Sequence, residues 1–173
     1  MAADVYTYSP SEVRLTFGGY NVEGWVNIGI TRNTEFVKQI RGIRGKHAKE
    51  VSRDTSSTIL LTLLQTSETN TVFSQILEIE QGTNGLVRME VTLADKAGGS
   101  VFQSNEVYIG GYPTVSYSSE IAEVQWKLLC DTSTWTIKGN AQNSSGLMDM
   151  LTGAAGKVGG FIGDAAGKIG GML

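Results

Sequence analysis

Few side chains in this sequence have the chemistry and the surroundings that catalysis requires. His47 is the only histidine, so a mechanism that pairs a serine or cysteine nucleophile with an imidazole base has to use it. It lies between Lys46 and Lys49 in a stretch without hydrophobic alternation, where a solvated histidine is expected. Cys130 is the single cysteine, and because it ends an alternating apolar run that contains Trp126, we interpret it as a core residue.

The carboxylates and the glycine pairs form no catalytic pattern. Glu78 and Glu80 are two residues apart in a predicted helix, so their side chains diverge. Glu120 and Glu123 flank a predicted turn, where solvated side chains are expected. The Gly-Gly pairs lack the flanking residues of a phosphate-binding loop, and one cysteine supplies no zinc-binding cluster. We therefore expect no enzymatic activity, no metal and no cofactor.

Residues 39–56 are predicted to form a long loop with a concentration of cationic side chains. A loop of this length inside a compact domain is usually functional or disordered. The segment 41–53 has no aromatic residue on which a base could stack, and the whole chain has a formal net charge of -3. We therefore favour self-association, in which the loop contacts an acidic surface of a neighbouring copy. A nucleic-acid-binding module is the alternative. The candidate inter-subunit contacts are Arg41, Arg44, Lys46, Lys49 and Arg53.

The elements that have to position these residues are mainly short strands. Alternating apolar and polar residues predict a hairpin over 13–22, with residues 25–30 as the continuation of its second strand. One helix is predicted over 68–81, with Ser67 as its N-cap and Gly82 just after its end. The predicted fold is mainly β, an antiparallel β-sandwich or barrel with one α-helix, plus a glycine-rich C-terminal amphipathic tail. Further strands are predicted over 56–64, 87–93, 101–109, 114–117, 124–130 and 134–137.

The C-terminal residues repeat, which divides the chain into a β-domain over 1–140 and an extension over 141–173. Nine of the 22 glycines lie in the last 28 residues, and each costs a helix about 1 kcal/mol relative to alanine. Large apolar residues nevertheless recur every 11 residues, a period that keeps them on one face of a helix. We expect the extension to be weakly structured alone and to order against a partner, with a flexible linker as the alternative. The candidate packing face is Leu147, Met150, Leu151, Val158, Phe161, Ile162 and Ile169.

Two stretches of the chain carry a resemblance to a known family. The first is residues 57–67 (STILLTLLQTS) with the helix that follows through Phe73. The second is residues 112–117 (YPTVSY), which lead into residues 124–126 (VQW). With the order of the elements over residues 10–140, these stretches resemble the tail tube proteins of tailed bacteriophages. More narrowly, they are similar to the phage structural protein family that forms the tube of contractile-tailed phages.

The resemblance implies a structural virion protein. Subunits of that family would form hexameric rings whose inner sheets join into one β-barrel around a channel. The rings would stack through long loops, and DNA would pass through the lumen during ejection. The implied location is the virion tail, assembled in the host cytoplasm. The implied partners are further copies of the chain and the sheath, tape-measure, baseplate and terminator proteins, with DNA as transient cargo and no membrane. The related alternative is the inner tube of a contractile injection system.

Overall fold

The computed structural model describes residues 8–139 of the chain. The extension predicted over 141–173, with its candidate packing face, lies outside these residues. Within them, a 3₁₀ turn (Pro10–Glu12) precedes ten strands and one α-helix, α1 (Thr69–Gly82). The strands are β1 (Val13–Phe17), β2 (Tyr20–Asn21), β3 (Trp25–Arg32), β4 (Val37–Arg41), β5 (His47–Val51), β6 (Ser57–Leu64), β7 (Met89–Asp95), β8 (Val101–Ile109), β9 (Glu123–Cys130) and β10 (Thr134–Thr136). No helix in this part of the chain is long and apolar enough to cross a membrane.

Eight of the strands form one antiparallel sheet that curves back on itself. Its order is β2-β1-β7-β8-β9-β6-β3, and β10 pairs with β8. The two end strands, β2 and β3, are separated in the chain by only three residues, 22–24. The ends of the sheet therefore lie at most about 15 Å apart, because consecutive Cα atoms are about 3.8 Å apart. The architecture is an incomplete antiparallel barrel, one of the two arrangements, sandwich or barrel, that the sequence predicts.

The core fills the concave side of this sheet. In β9 every second residue is buried, from Val124 to Cys130, so these side chains face inward. The alternate side chains face outward and are polar except for Leu129. Helix α1 covers the core with Phe73 and Leu77. The Phe73 ring lies 5.1 Å from that of Phe17 and 5.4 Å from that of Trp126, centroid to centroid. These aromatic side chains carry the largest apolar areas of the core and therefore dominate its stability.

The ends of helix α1 differ slightly from the prediction. The helix begins at Thr69, and its N-cap residue is Glu68. The Thr69 backbone N–H donates a hydrogen bond to the Ser67 hydroxyl oxygen at 3.3 Å. Gly82 is the last helical residue and not the one after the end. The left-handed backbone that ends a helix is adopted instead by Asn84 and Gly85, at φ 53° and 79°. The Gly85 N–H donates to the carbonyl of Glu80 at 3.0 Å, which satisfies one of the terminal carbonyls.

The prediction that residues 25–30 continue the second strand of the first hairpin was wrong. Strand β2 pairs with β1, whereas β3 pairs with β6 at the other end of the sheet. The chain turns between them at Gly24, which has φ +70°. A side chain there would place its Cβ 2.8 Å from the Cβ of Ser67, so only glycine allows this close approach. The change of partner is what brings the two ends of the sheet together.

Two further segments differ from the predictions: a predicted loop forms strands, and a predicted strand is irregular. Where a loop was expected over 39–56, strands β4 and β5 form a separate two-stranded sheet that begins two residues earlier. Both faces of that sheet are exposed, so burial imposes no alternation that the sequence could show. Conversely, the strand expected over 114–117 does not form, and residues 110–122 are irregular. Gly111 at φ 141° takes the chain away from β9, and Pro113 has no N–H to donate to a ladder.

Candidate functional site

The two residues that were considered for catalysis, His47 and Cys130, have different surroundings. His47 is exposed and pairs across the β4–β5 sheet with Arg41. Cys130 is buried at the end of β9, and burial raises the pKa of its thiol to about 11, so the reactive thiolate is scarce near neutral pH. Within residues 8–139, no three His, Cys, Asp or Glu side chains are grouped in a way that could hold a metal ion.

The five predicted inter-subunit residues all lie on or beside strands β4 and β5. We call residues 36–53 the basic hairpin. Arg41 and Lys49 project from the same face, because each is directly opposite another residue of that face, His47 and Gln39. Arg44 and Lys46 lie in the turn, which is closed by a hydrogen bond of 2.7 Å from the Gly42 N–H to the Lys46 carbonyl. Arg53 lies two residues beyond β5, and Lys38 is a sixth cation that the prediction missed.

The basic hairpin is connected to the barrel at its base. Asp54 accepts hydrogen bonds from the Thr34 hydroxyl and, at 2.9 Å, from the Ser56 N–H. These bonds lower the pKa of the Asp54 carboxyl, the one from Thr34 most strongly. The Arg32 guanidinium donates to the carbonyls of Thr55 and Ser133. These hydrogen bonds join the two segments that flank the hairpin to each other, at Thr34 and Asp54, and connect Thr55 to Arg32 at the end of β3.

Beyond its base the basic hairpin is exposed along its whole length. All ten residues of β4 and β5 are exposed. Its charge is +5, from six cations against the single carboxylate of Glu50. The ion pair found among residues 8–139 joins Arg88 to Glu106, so no carboxylate in that range lies within 4.0 Å of a hairpin cation. An isolated two-stranded sheet is marginally stable in water, and this one also exposes Phe36, Val37, Ile40, Ile43 and Val51.

A second exposed surface has the opposite charge. We call residues 65–87, which contain helix α1, and residues 110–126 the acidic surface. The two segments contact each other, since the Gln65 N–H donates to the Ala122 carbonyl at 3.0 Å. They contain no lysine, arginine or histidine. Their carboxylates are Glu68, Glu78, Glu80, Glu120 and Glu123, a charge of -5.

The acidic surface also exposes large apolar side chains, three of which (Tyr112, Val115 and Tyr117) line a cavity of about 200 Å³. The cavity lies between helix α1 and the irregular segment, with Asn70 and Ser74 on one side and Tyr112 and Tyr117 on the other. This surface was not predicted, because its glutamates were considered separately. The absence of cations from both segments could have indicated it. The exposed apolar side chains are Ile79, Leu86, Tyr112, Val115, Tyr117 and Ile121.

The third feature is the outer edge of strand β3, which among residues 8–139 pairs with β6 on one side only. A groove of about 1040 Å³ runs beside it, lined by Trp25 and Ile28 from β3 and by Leu93 and Trp135 from the opposite wall. The eight-residue edge presents unpaired N–H and C=O groups next to apolar side chains. Such an edge can accept a strand from another chain.

Comparisons with known proteins agree with this architecture. No protein-family model matches the chain. The chain is 25% identical over 166 residues to the structural protein ORF10 of Pseudomonas phage KPP10, covering 88% of this chain and 94% of that protein. A chain of the sheath–tube complex of an extracellular contractile injection system has a TM-score of 0.53 at 15% identity, covering 76% of this chain and 93% of that one. A chain of its sheath/tube terminator has a TM-score of 0.52 at 16% identity, with 78% and 99% covered.

A chain from the tube-terminating cap of the anti-feeding prophage is similar as well, with a TM-score of 0.50 at 15% identity and 79% and 95% covered. The resemblance to tail tube proteins that the sequence predicts is confirmed by these findings together. The mainly antiparallel β fold with one α-helix is confirmed for the described part of the chain.

Proposed function

We propose that this chain is a structural, self-assembling subunit of a phage tail tube, with no enzymatic function. The observation that supports this most strongly is the basic hairpin, which is exposed along its whole length on a subunit whose fold is similar to chains of contractile-injection assemblies. A cationic strand pair with exposed apolar side chains costs free energy in a monomer, and contact with another subunit removes that cost.

Lateral contacts close the subunits into hexameric rings. The free edge of β3 at one end of the sheet and the two-residue strand β2 at the other are different surfaces, so a contact between them is heterologous and generates a ring when the rotation closes. Pairing the edge of β3 also removes a template for uncontrolled aggregation. Because each subunit contributes a curved sheet, the ring surrounds a channel through which DNA passes during ejection.

Axial contacts stack the rings into a tube. The basic hairpin carries these contacts through Arg41, Arg44, Lys46, Lys49 and Arg53. Sheath, tape-measure, baseplate and terminator proteins are the further partners, and the virion tail is the location. The β-domain ends near residue 140, and residues 141–173 form an extension that orders against one of these partners.

Two related structural roles differ from this one, the first in what the tube encloses and the second in how far assembly proceeds. The inner tube of a contractile injection system would polymerise in the same way but enclose no genome. A terminator would form single rings, and two of the similar structures are described as a terminator and a terminating cap.

The test of the proposed function is electron microscopy and sedimentation velocity of the purified full-length protein. We expect rings or long tubes with a central channel, in a proportion that rises with protein concentration. Single rings that never elongate would favour the terminator role. A strictly monomeric protein at all concentrations and salt conditions would contradict self-assembly.

A nucleic-acid-binding module is the second candidate, because the basic hairpin has a charge of +5. This function requires an affinity for DNA that falls steeply with salt. It also requires that replacing Arg41, Arg44 and Lys46 by glutamine abolish binding. Absence of binding at low salt would exclude this candidate, and tube formation without binding would support the structural one.

A further inference from the structure

The charges of the basic hairpin and the acidic surface match in size and differ in sign. The hairpin has six cations and one carboxylate, and the acidic surface has five carboxylates and no cation. Residues 8–139 together carry only -2, so opposite charges are concentrated in two places and nearly cancel. Complementary potentials of this kind steer partners together and fix their orientation.

The exposed apolar side chains are also concentrated on these two surfaces. Eighteen large hydrophobic residues are exposed in residues 8–139, and eleven of them belong to these two surfaces. Five lie on the hairpin and six on the acidic surface. Monomeric proteins rarely expose such clusters, and apolar clusters surrounded by charge are typical of protein interfaces. Both surfaces therefore have the composition of the two sides of one contact.

The dimensions are compatible as well. Strands of five residues are about 17 Å long, and the turn lengthens the hairpin further. Helix α1, with its 14 residues, is about 21 Å long. A hairpin laid along the helix would cover a length that includes Glu78 and the cavity lined by Ser74 and Tyr117. Within one copy the two surfaces do not meet, since the hairpin strands are exposed throughout.

We infer that the basic hairpin of one copy docks on the acidic surface of a second copy. The inference rests on the proposed function and names the acceptor surface of the hairpin contact. Because donor and acceptor are different surfaces present on every copy, the contact is heterologous and can propagate from copy to copy. The occupant of the acidic surface is thus a second molecule of this chain.

A charge exchange in the full-length protein tests this inference. In the first variant Arg41, Arg44, Lys46 and Lys49 become glutamate, which changes the hairpin charge from +5 to -3. In the second Glu68, Glu78, Glu120 and Glu123 become lysine, which changes the acidic surface from -5 to +3. Each variant alone presents like charges at the contact, which opposes docking. In a mixture, each hairpin finds an oppositely charged surface on the other variant.

We expect each variant alone to show at least about a tenfold smaller assembled fraction than the wild type in sedimentation velocity. We expect the equimolar mixture to recover assemblies that contain both variants. Recovery in the mixture shows that the single variants are folded. Undiminished assembly of the single variants, or no recovery in the mixture, would overturn the docking inference while the wild type still assembles. A wild type that does not assemble would overturn the proposed function together with the inference.

Discussion

The barrel and the basic hairpin are built from the same kind of antiparallel pairing but are stabilised differently. Strand β9 pairs along its whole length with β6 and buries every second residue. Strands β4 and β5 pair equally regularly, yet bury none. The backbone ladder is thus similar in the two regions, and the difference lies in the apolar area removed from water. Since that area is the main favourable contribution to stability, the barrel has a core of its own, whereas we expect the hairpin to gain stability from contact with a partner.

The comparison predicts its largest effect at Trp126. Its side chain is buried, and its Nε1–H donates to Asn70 Oδ1 at 2.9 Å. Replacement by alanine removes the largest core side chain and leaves a cavity, so we expect a loss of about 3–5 kcal/mol in the free energy of unfolding, measured by urea denaturation. The matched control is Ile43→Ala in the exposed turn of the hairpin, which should change stability by less than about 0.5 kcal/mol. Equal losses in the two variants would show that the regions do not differ as described.

Substitutions in the hairpin should reduce self-assembly and leave the free energy of unfolding almost unchanged. Arg41→Glu combined with Lys49→Glu should leave the unfolding free energy within about 0.5 kcal/mol of wild type, because both side chains are exposed. The same variant should reduce self-assembly severalfold or more in sedimentation velocity. Lys96→Glu with Lys138→Glu makes the same change in net charge at two other exposed positions and should assemble normally. Equal effects of both pairs would point to net charge alone rather than to the hairpin.

Removal of the residues after Asn140 is expected to have a smaller effect on stability and assembly. The buried hydrophobic residues of the described core lie between residues 15 and 130. A chain truncated after Asn140 should therefore keep the circular dichroism spectrum and the unfolding transition of the β-domain, but differ in assembly or partner binding. Identical polymerisation and partner binding by the truncated chain would favour the flexible-linker interpretation.

The smallest effect is expected at Cys130 and concerns alkaline pH. Its pKa is raised by burial from about 9 to about 11, so between these pH values the folded state retains a proton that the unfolded state loses. The contribution of this thiol to stability is therefore present below pH 9 and is lost as the pH rises toward 11. Wild-type protein should lose more stability over this range than Cys130→Ala does, as measured by urea denaturation. A parallel loss in the two proteins would contradict burial of the thiol.

The well-predicted parts of the fold share one property, which is burial of one face. Strand β8 has the bounds that its sequence predicts, and β9 differs from its prediction by one residue. In β9 the prediction succeeds because alternation over 124–130 reflects a buried face. Helix α1 is predicted for the same reason, from the stripe that contains Phe73 and Leu77. The hairpin strands were missed because a sheet exposed on both faces leaves no periodic signal. The acidic surface was missed because its two segments are separated in the chain by the 22 residues 88–109.

The sequence by itself determined the fold class, the alternation of buried side chains in strand β9 and the cluster of cations between residues 41 and 53. These follow from local periodicity and composition, which act over a few residues. Only the tertiary structure decided which strand pairs with which, since Gly24 moves β3 to the far end of the sheet, where it pairs with residues that lie 25 to 38 positions further along the chain. It also brought residues 65–87 and 110–126 into contact, through the hydrogen bond from the Gln65 N–H to the Ala122 carbonyl. Pairing over such separations depends on the packing of the whole barrel, and no local pattern records it.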